Sequence, residues 1–256
     1  MSEGPQELLN QTEFTQPAVF ATSYLAYLNH GIQGKVLIGH SVGEYTALTI
    51  AGFLNPIETV KLLRKRGQLM QEACEGRKCG MLVVSGDIEK TLEIKENVEK
   101  MKEFKGLVCE LAVYNSKKNH VFSGDLEILK GFSESLKKEK INNVFLRVSA
   151  AFHCSLMEKI QGKFRDFLEK IEIFEGNRGV VLRNCDLKAY RKREDVIEGL
   201  VKQLNCPVLF YQSVNKAIDD ESIKEIVEFA GKSQVRSLNE IIEGRKDGDK
   251  IKIRSV

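Results

Sequence analysis

Apolar positions fall along the chain in two rhythms, one of three to four residues and one of short unbroken runs. Their alternation sets out an α/β protein. Val19, Phe20, Tyr24, Leu25 and Leu28 recur at helical spacing and predict a helix over residues 10–29, with Pro17 near its start and His30-Gly31 at its end. Lys35 to Gly39 holds the run Val36-Leu37-Ile38, a short buried strand. From Val42 the period is helical again, through Tyr45, Leu48 and Thr49 to Ala51-Gly52. Asn55-Pro56 opens the next helix, asparagine as cap and proline at the first position. That helix runs through Val60, Leu63, Gly67 and Met70 towards Glu72-Ala73.

The middle of the chain changes character. Gly80 to Ser85 is strand-like, and Asp87 to Phe104 is a charged helix marked by Ile88, Leu92 and Val98. Leu107 to Tyr114 and His120 to Ser123 read as strands, Leu126 to Lys138 as a helix and Asn143 to Val148 as a strand. This β-α-β-β-α-β order is the ferredoxin-like arrangement. It predicts a small inserted subdomain over residues 79–149 within a larger one made of residues 1–78 and 150–256. Beyond it, Ser155 to Ile171 is helical, Val180 to Arg183 a buried strand, Asp195 to Leu204 a helix and Pro207 to Ile218 another. Ile223 to Phe229 has the composition of a strand, and the charged C-terminus ends in an edge strand. Strands alternating with helices imply a mostly parallel sheet covered on both faces.

Composition narrows the class. The chain has 256 residues, 42% hydrophobic and 29% charged, which suits one large domain with an insertion and excludes disorder. A net charge of +3 gives no case for nucleic acid. The six cysteines (Cys74, Cys79, Cys109, Cys154, Cys185 and Cys206) form no metal-binding spacing and read as reduced core thiols. The polar N-terminus is not a secretory signal, and the apolar runs are far too short to span a membrane. A soluble, cytoplasmic monomer is expected, with no metal.

Candidate chemistry begins at Gly39-His40-Ser41-Val42-Gly43. Gly-x-Ser-x-Gly between a strand and a helix is a nucleophile elbow. Ser41 takes a strained backbone, Gly39 and Gly43 sit where side chains would clash, and Val42 N–H at the helix start faces a developing oxyanion. The competing reading is a structural strand-to-helix turn. A serine also needs a base. Of four histidines, His30 reads as a helix cap, His40 as a packing or loop-bracing residue beside Ser41, and His120 as a strand residue. His153 lies in a loop entering a helix, where the inserted subdomain returns. It reads equally as a loop residue and as the base. No acid between Ser41 and His153 stands out as the third member of a triad, and a backbone carbonyl can orient an imidazole instead.

Five blocks then carry a resemblance: GPQELLNQTEFTQPAVF, IGHSVGEYTAL, RKRGQLMQEA, VYNSKKNHVFSG and AAFHCSLM. In order, from about Gly4 to about Val214, they resemble malonyl-CoA:acyl-carrier-protein transacylases. The resemblance implies an α/β-hydrolase-like core carrying the ferredoxin-like subdomain. It implies ping-pong chemistry without a cofactor: Ser41 attacks the malonyl thioester of CoA, His153 is the base, and the phosphopantetheine thiol of an acyl carrier protein takes the acyl group. Arg66 matches the arginine that holds the malonyl carboxylate, for which a planar guanidinium is suited. Arg64 points to another face of the helix. Asn115 matches an asparagine lining the cleft, and reads equally as a turn residue. The family's glutamine after Asn-Pro-Val stands here as Leu209, whose main-chain carbonyl would orient the imidazole. With Val42 and His40, these residues surround the substrate.

The chain also departs from the pattern. The family's opening Gly-Gln-Gly strand, which supplies the second oxyanion-hole N–H, has no match in this sequence, and two expectations follow: a true start that lies upstream, or an adapted protein of impaired activity. The late glycine-proline turn stands as Phe229-Ala230-Gly231-Lys232. Two other functions compete: a serine esterase or thioesterase on the same dyad, and a scaffold that binds without turnover. A cation facing the serine argues against the esterase.

Overall fold

The helical rhythm at the N-terminus becomes two helices in the computed structural model, which describes residues 5–148, 150–229, 233–246 and 248–256. One turn, α1 (Gln6–Leu9), precedes α2 (Thr12–His30), which Gly31 closes in the left-handed conformation at φ 60°. Then come β1 (Val36–Ile38), α3 (Val42–Ala51) and α4 (Pro56–Glu72). Asn55 caps α4 as predicted, its side-chain oxygen accepting from Ile57 N–H at 2.9 Å. α3 is buried from Glu44 to Ala51, so it lies inside the core rather than on its surface.

Residues 79–145 follow the predicted order of elements: β2 (Cys79–Ser85), α5 (Ile88–Glu99), β3 (Cys109–Ser116), β4 (Asn119–Asp125), α6 (Leu126–Lys138) and β5 (Asn142–Phe145). The expected helix to Phe104 ends early and is followed by a separate 3-10 turn, Lys102–Phe104. The four strands form one sheet in the order β3-β4-β2-β5, antiparallel at each junction. Only Lys117 and Lys118 separate β3 from β4, a hairpin that admits no parallel pairing. One face packs Leu82, Val84 and Phe122 against Ile128, Leu129 and Phe132 of α6. The other presents Met81, Val113 and Val121 to Val208, Phe210 and Leu238. Ser149, the predicted last residue of the insertion, lies outside the described residues, as does Gly4.

The chain returns through a 3-10 segment, Ser155–Ile160, into α7 (Gln161–Leu168), where a single helix was expected. Then follow β6 (Val180–Leu182), α8 (Arg193–Gln203), α9 (Phe210–Glu221), β7 (Glu225–Glu228), α10 (Val235–Glu243) and β8 (Lys252–Ser255). β6 pairs with β1 and β7 with β8, both parallel. The described sheets are therefore mixed: parallel pairing occurs in these two pairs, and the four-stranded sheet is antiparallel. α9 starts three residues later than the expected Pro207, because Val208 is held extended. Its N–H donates to Ala112 O and its carbonyl accepts from Tyr114 N–H, each at 2.9 Å, joining this segment to β3.

The main core joins Tyr45 and Leu48 of α3 to Leu62 and Leu69 of α4, Phe164 of α7 and Leu200 of α8. All six cysteines are free thiols, four of them buried. Among the described residues no helix is long and apolar enough to cross a membrane, and no cluster of His, Cys, Asp or Glu could hold a metal ion.

α2 crosses α4 at Gly67, where a Cβ would come within 2.6 Å of both Glu13 Cα and Thr12 O. Both are backbone atoms that cannot rotate away. Gly67→Ala should destabilise the fold by about 1–3 kcal/mol through overpacking, against the ~1 kcal/mol that alanine normally gains in a helix. Urea denaturation checks this, and an increase in stability would show that the helices can part.

Candidate active site

Three residues turn the chain from β1 into α3. At Gly39 a Cβ would lie 1.9 Å from Glu44 N and 2.0 Å from Gly43 C, so no side chain fits. Gly43 departs from the sequence expectation. A Cβ there meets nothing within 4 Å, so the turn needs its first glycine and not its second on steric grounds. Ser41 sits at φ 53°, ψ −103°, a conformation that costs an L residue on the order of 1–3 kcal/mol. Asn184, 1% exposed, holds it there: Oδ1 accepts from Ser41 N–H at 2.9 Å and Nδ2 donates to Gly39 O at 2.8 Å. Val42 is the first residue of α3, so its N–H has no carbonyl one turn back to bond.

The geometry brings Ser41, His153 and Arg66 together. Ser41 Oγ lies 2.7 Å from His153 Nε2, across 112 residues of chain. The other ring nitrogen, Nδ1, is 2.8 Å from Gln203 O. This corrects the assignment to Leu209, whose carbonyl instead accepts from Ser213 N–H and Oγ–H. The reason is local. Gln203 ends α8, where the last carbonyls have no helical partner, and two of them receive His153: Gln203 O its ring, Leu204 O its backbone N–H at 3.2 Å.

Arg66 is 1% exposed. NH2 donates to Ser41 Oγ at 3.2 Å and to Gln203 Oε1 at 2.9 Å, while NH1 donates to Gln16 Oε1 at 2.7 Å. Its Nε is buried without a partner, and among the described residues no carboxylate pairs with it. The guanidinium lies 5.4 Å from the centre of the Tyr45 ring. Arg64 points away, exposed, towards Glu13. Behind Ser41, Gln203 Nε2 donates to Ser41 O at 2.9 Å and to Glu44 Oε2. Glu44, fully buried, also accepts from Tyr190 OH at 2.6 Å and Asn184 N–H at 3.0 Å.

The remaining predicted residues sit nearby. His40 Nε2 is 2.8 Å from Asn115 Oδ1, and its ring packs 5.4 Å from Phe210, so it braces the elbow against β3. Asn115 is a residue of β3 rather than of the turn that follows it, and its Nδ2 donates to Asn119 Oδ1 at 3.2 Å across the hairpin. His30 ends α2 and His120 is buried in β4, its Nε2 donating to Gly86 O. Residues 230–232 of the late turn lie outside the described residues. Sequence reading missed Gln203, Asn184, Glu44 and Gln16. The signal for Glu44 was a carboxylate in an otherwise apolar helix, and for Gln203 a polar residue closing an amphipathic one.

A family model described as acyl transferase domain matches residues 1–243. The chain is similar to the malonyl CoA-acyl carrier protein transacylase of Bacillus subtilis, 32% identical over 221 residues that make up 84% of this chain and 68% of that protein. The structure is similar to a malonyl CoA-acyl carrier protein transacylase from Coxiella burnetii, at a TM-score of 0.88 and 30% identity, covering 99% of this chain and 78% of that one. It is also similar to a malonyl-transacylase solved in complex with a type II polyketide acyl-carrier protein, at a TM-score of 0.88 and 28% identity, covering 99% and 80%.

Burial sets the protonation of the site. Desolvation, followed by the charge of Arg66, lowers His153 from 6.5 to about 3, so the ring is neutral. Desolvation raises Glu44 to about 7 against the hydrogen bonds it accepts. The histidine's folded value lies below its unfolded one, so its stabilising contribution is complete above pH 6.5 and is lost as pH falls towards 3. Glu44 acts oppositely, gaining stability as pH falls from about 7 to 4.5. His153→Gln should therefore lose less stability than the unsubstituted chain on acidification from pH 6.5 to 4.5, by up to ~1.4 kcal/mol per pH unit. Urea denaturation across that range reads the difference, and parallel curves would mean that His153 is not held neutral.

Proposed function

The chain belongs to the acyl transferase family, and we propose that it transfers a malonyl group from CoA to the phosphopantetheine thiol of an acyl carrier protein, in fatty-acid or polyketide synthesis. The observation that carries this reading is Arg66, a buried guanidinium without a carboxylate partner, 3.2 Å from the hydroxyl that would bear the acyl group. A buried charge wants a counter-ion. A malonyl carboxylate, one methylene away from the ester carbonyl, would supply it, and an acetyl group would not.

In the first half-reaction Ser41 Oγ attacks the thioester carbonyl while His153 Nε2 takes its proton. The imidazolium that forms keeps its Nδ1–H on Gln203 O, the part an acid plays in a triad. Val42 N–H stabilises the oxyanion at the head of α3. The C–S bond breaks, and the CoA sulfur leaves with the proton from His153. In the second half-reaction the carrier's thiol gives its proton to His153 and attacks the malonyl-serine ester, and Ser41 recovers its hydroxyl. The substrate assists its own activation. Its carboxylate offsets the Arg66 charge that depresses His153, so the base strengthens when malonyl is bound.

On this reading residues 1–78 and 150–256 form an α/β-hydrolase-like core, and 79–149 a ferredoxin-like subdomain. The β3-β4-β2-β5 order of the inserted sheet supports the second, and the elbow between β1 and α3 supports the first. The cleft between them, walled by His40 and Asn115, would admit the pantetheine arm.

Incubation with malonyl-CoA, followed by intact mass, tests the reaction. A malonyl adduct should form, vanish in Ser41→Ala, and discharge onto a holo carrier protein. Discharge to water alone would favour the thioesterase. Arg66→Ala should slow malonyl loading by about 10²–10³-fold, the effect of removing one partner of a buried charge pair, and acetyl loading by less than tenfold. Equal losses would mean that Arg66 does not meet the substrate carboxylate.

A further inference from the structure

The loop bearing His153 is anchored on one side only by the elements described so far. Its ring meets Gln203 O and its own N–H meets Leu204 O. On the C-terminal side the chain passes through Cys154, extended at φ −140°, into the 3-10 segment that begins at Ser155. The free N–H groups at the head of such a segment call for a capping side chain. Cys154, in the cap position, makes no side-chain bond to them. The acceptor comes instead from the small subdomain. Glu110 of β3 reaches across, its Oε2 accepting from Ser155 N–H at 2.8 Å and its Oε1 from Ser155 Oγ–H at 2.6 Å. Both carboxylate oxygens therefore hold a residue two positions after His153.

The backbone needs that hold. His153 lies at φ 59°, a conformation that a β-carbon disfavours and that persists only where neighbours fix both ends. Leu204 O fixes the near end, and Glu110 fixes the far one. β3 also carries Asn115, which braces His40 beside the nucleophile. One strand of the small subdomain thus touches the flanks of both reacting residues.

We infer that Glu110 is a positioning residue for the reaction, an external cap whose bidentate grip on Ser155 sets the His153 imidazole against Ser41. This rests on the reading of His153 as the base. It makes the strand an arm of the site: the placement of the small subdomain is transmitted to the base through the Glu110 carboxylate, beside the weaker bond from Ser123 Oγ–H of β4 to Cys154 Sγ at 3.7 Å.

The test uses the full chain with Glu110→Ala, Ser155→Ala, the double variant and Glu110→Gln. The first readout needs no substrate: the low-field Nδ1–H proton resonance of His153, identified by its loss in His153→Gln. It should broaden or vanish in Glu110→Ala through faster exchange and return in part in Glu110→Gln, which keeps one acceptor. The second is single-turnover malonyl loading. At saturating malonyl-CoA it should be about tenfold slower in Glu110→Ala, as expected for a displaced base, with half-saturation changed less than about twofold. The double variant should match Glu110→Ala. A resonance unchanged in Glu110→Ala, or additive losses in the double variant, would overturn the inference. If the unsubstituted chain failed to load while the resonance still responded, the assigned reaction would fall and the clamp would stand.

Discussion

A guanidinium shut away from water with no carboxylate beside it is the constraint around which this molecule is arranged. Arg66 must be hydrogen-bonded by neutral groups, and each of those groups belongs to a different part of the chain: Gln16 in α2, Ser41 at the elbow, Gln203 at the end of α8. Its nearest anionic help is indirect. Gln203 accepts from Arg66 with one end of its amide and donates to Glu44 with the other. Glu44 is a weak counter-charge, because burial holds its proton up to about pH 7. The guanidinium is thus left short of negative charge at the point where an acyl group would sit.

The same residues explain why the nucleophile can be strained. Ser41 has a backbone that few residues adopt, and its amide hydrogen cannot pair in β1 because the strand has ended. Asn184 takes that hydrogen and returns one of its own to Gly39 O, doing for the turn what a neighbouring strand does for a sheet. Asn184 is held in turn by Glu44 and Leu209. Leu209 therefore matters to the site, by supporting the strap rather than by facing the histidine.

Much of this was legible in the sequence, for identifiable reasons. The Asn55-Pro56 cap, the short β1 run and the order of elements in the insertion follow from local chemistry, and local chemistry is what periodicity reports. Ser41, His153 and Arg66 could be named because few residues of their type stood in suitable places. The errors were tertiary. Assigning the orienting carbonyl to Leu209 followed a sequence position, whereas the fold decided it by bringing the open end of α8 to the ring. The expectation for Gly43 treated the two glycines of the elbow alike, and only the packing of Gly39 against the first turn of α3 separates them. The parallel pairing expected of the larger pattern is found in β1-β6 and β7-β8, and the two-residue hairpin makes the sheet between them antiparallel.

Val208 bridges to Val113, Ser41 meets His153 across 112 residues, and Ser41 meets Gln203 across 162. Contacts of such separation carry a large loop-closure entropy and tend to form late, after local helices and hairpins. Residues 79–145 can assemble their hairpin and two helices from near neighbours, but the site needs residues from Gln16 to Gln203 in place. A partly folded chain could hold native helices and no usable constellation, because the hydroxyl and the imidazole meet only when these long-range contacts close.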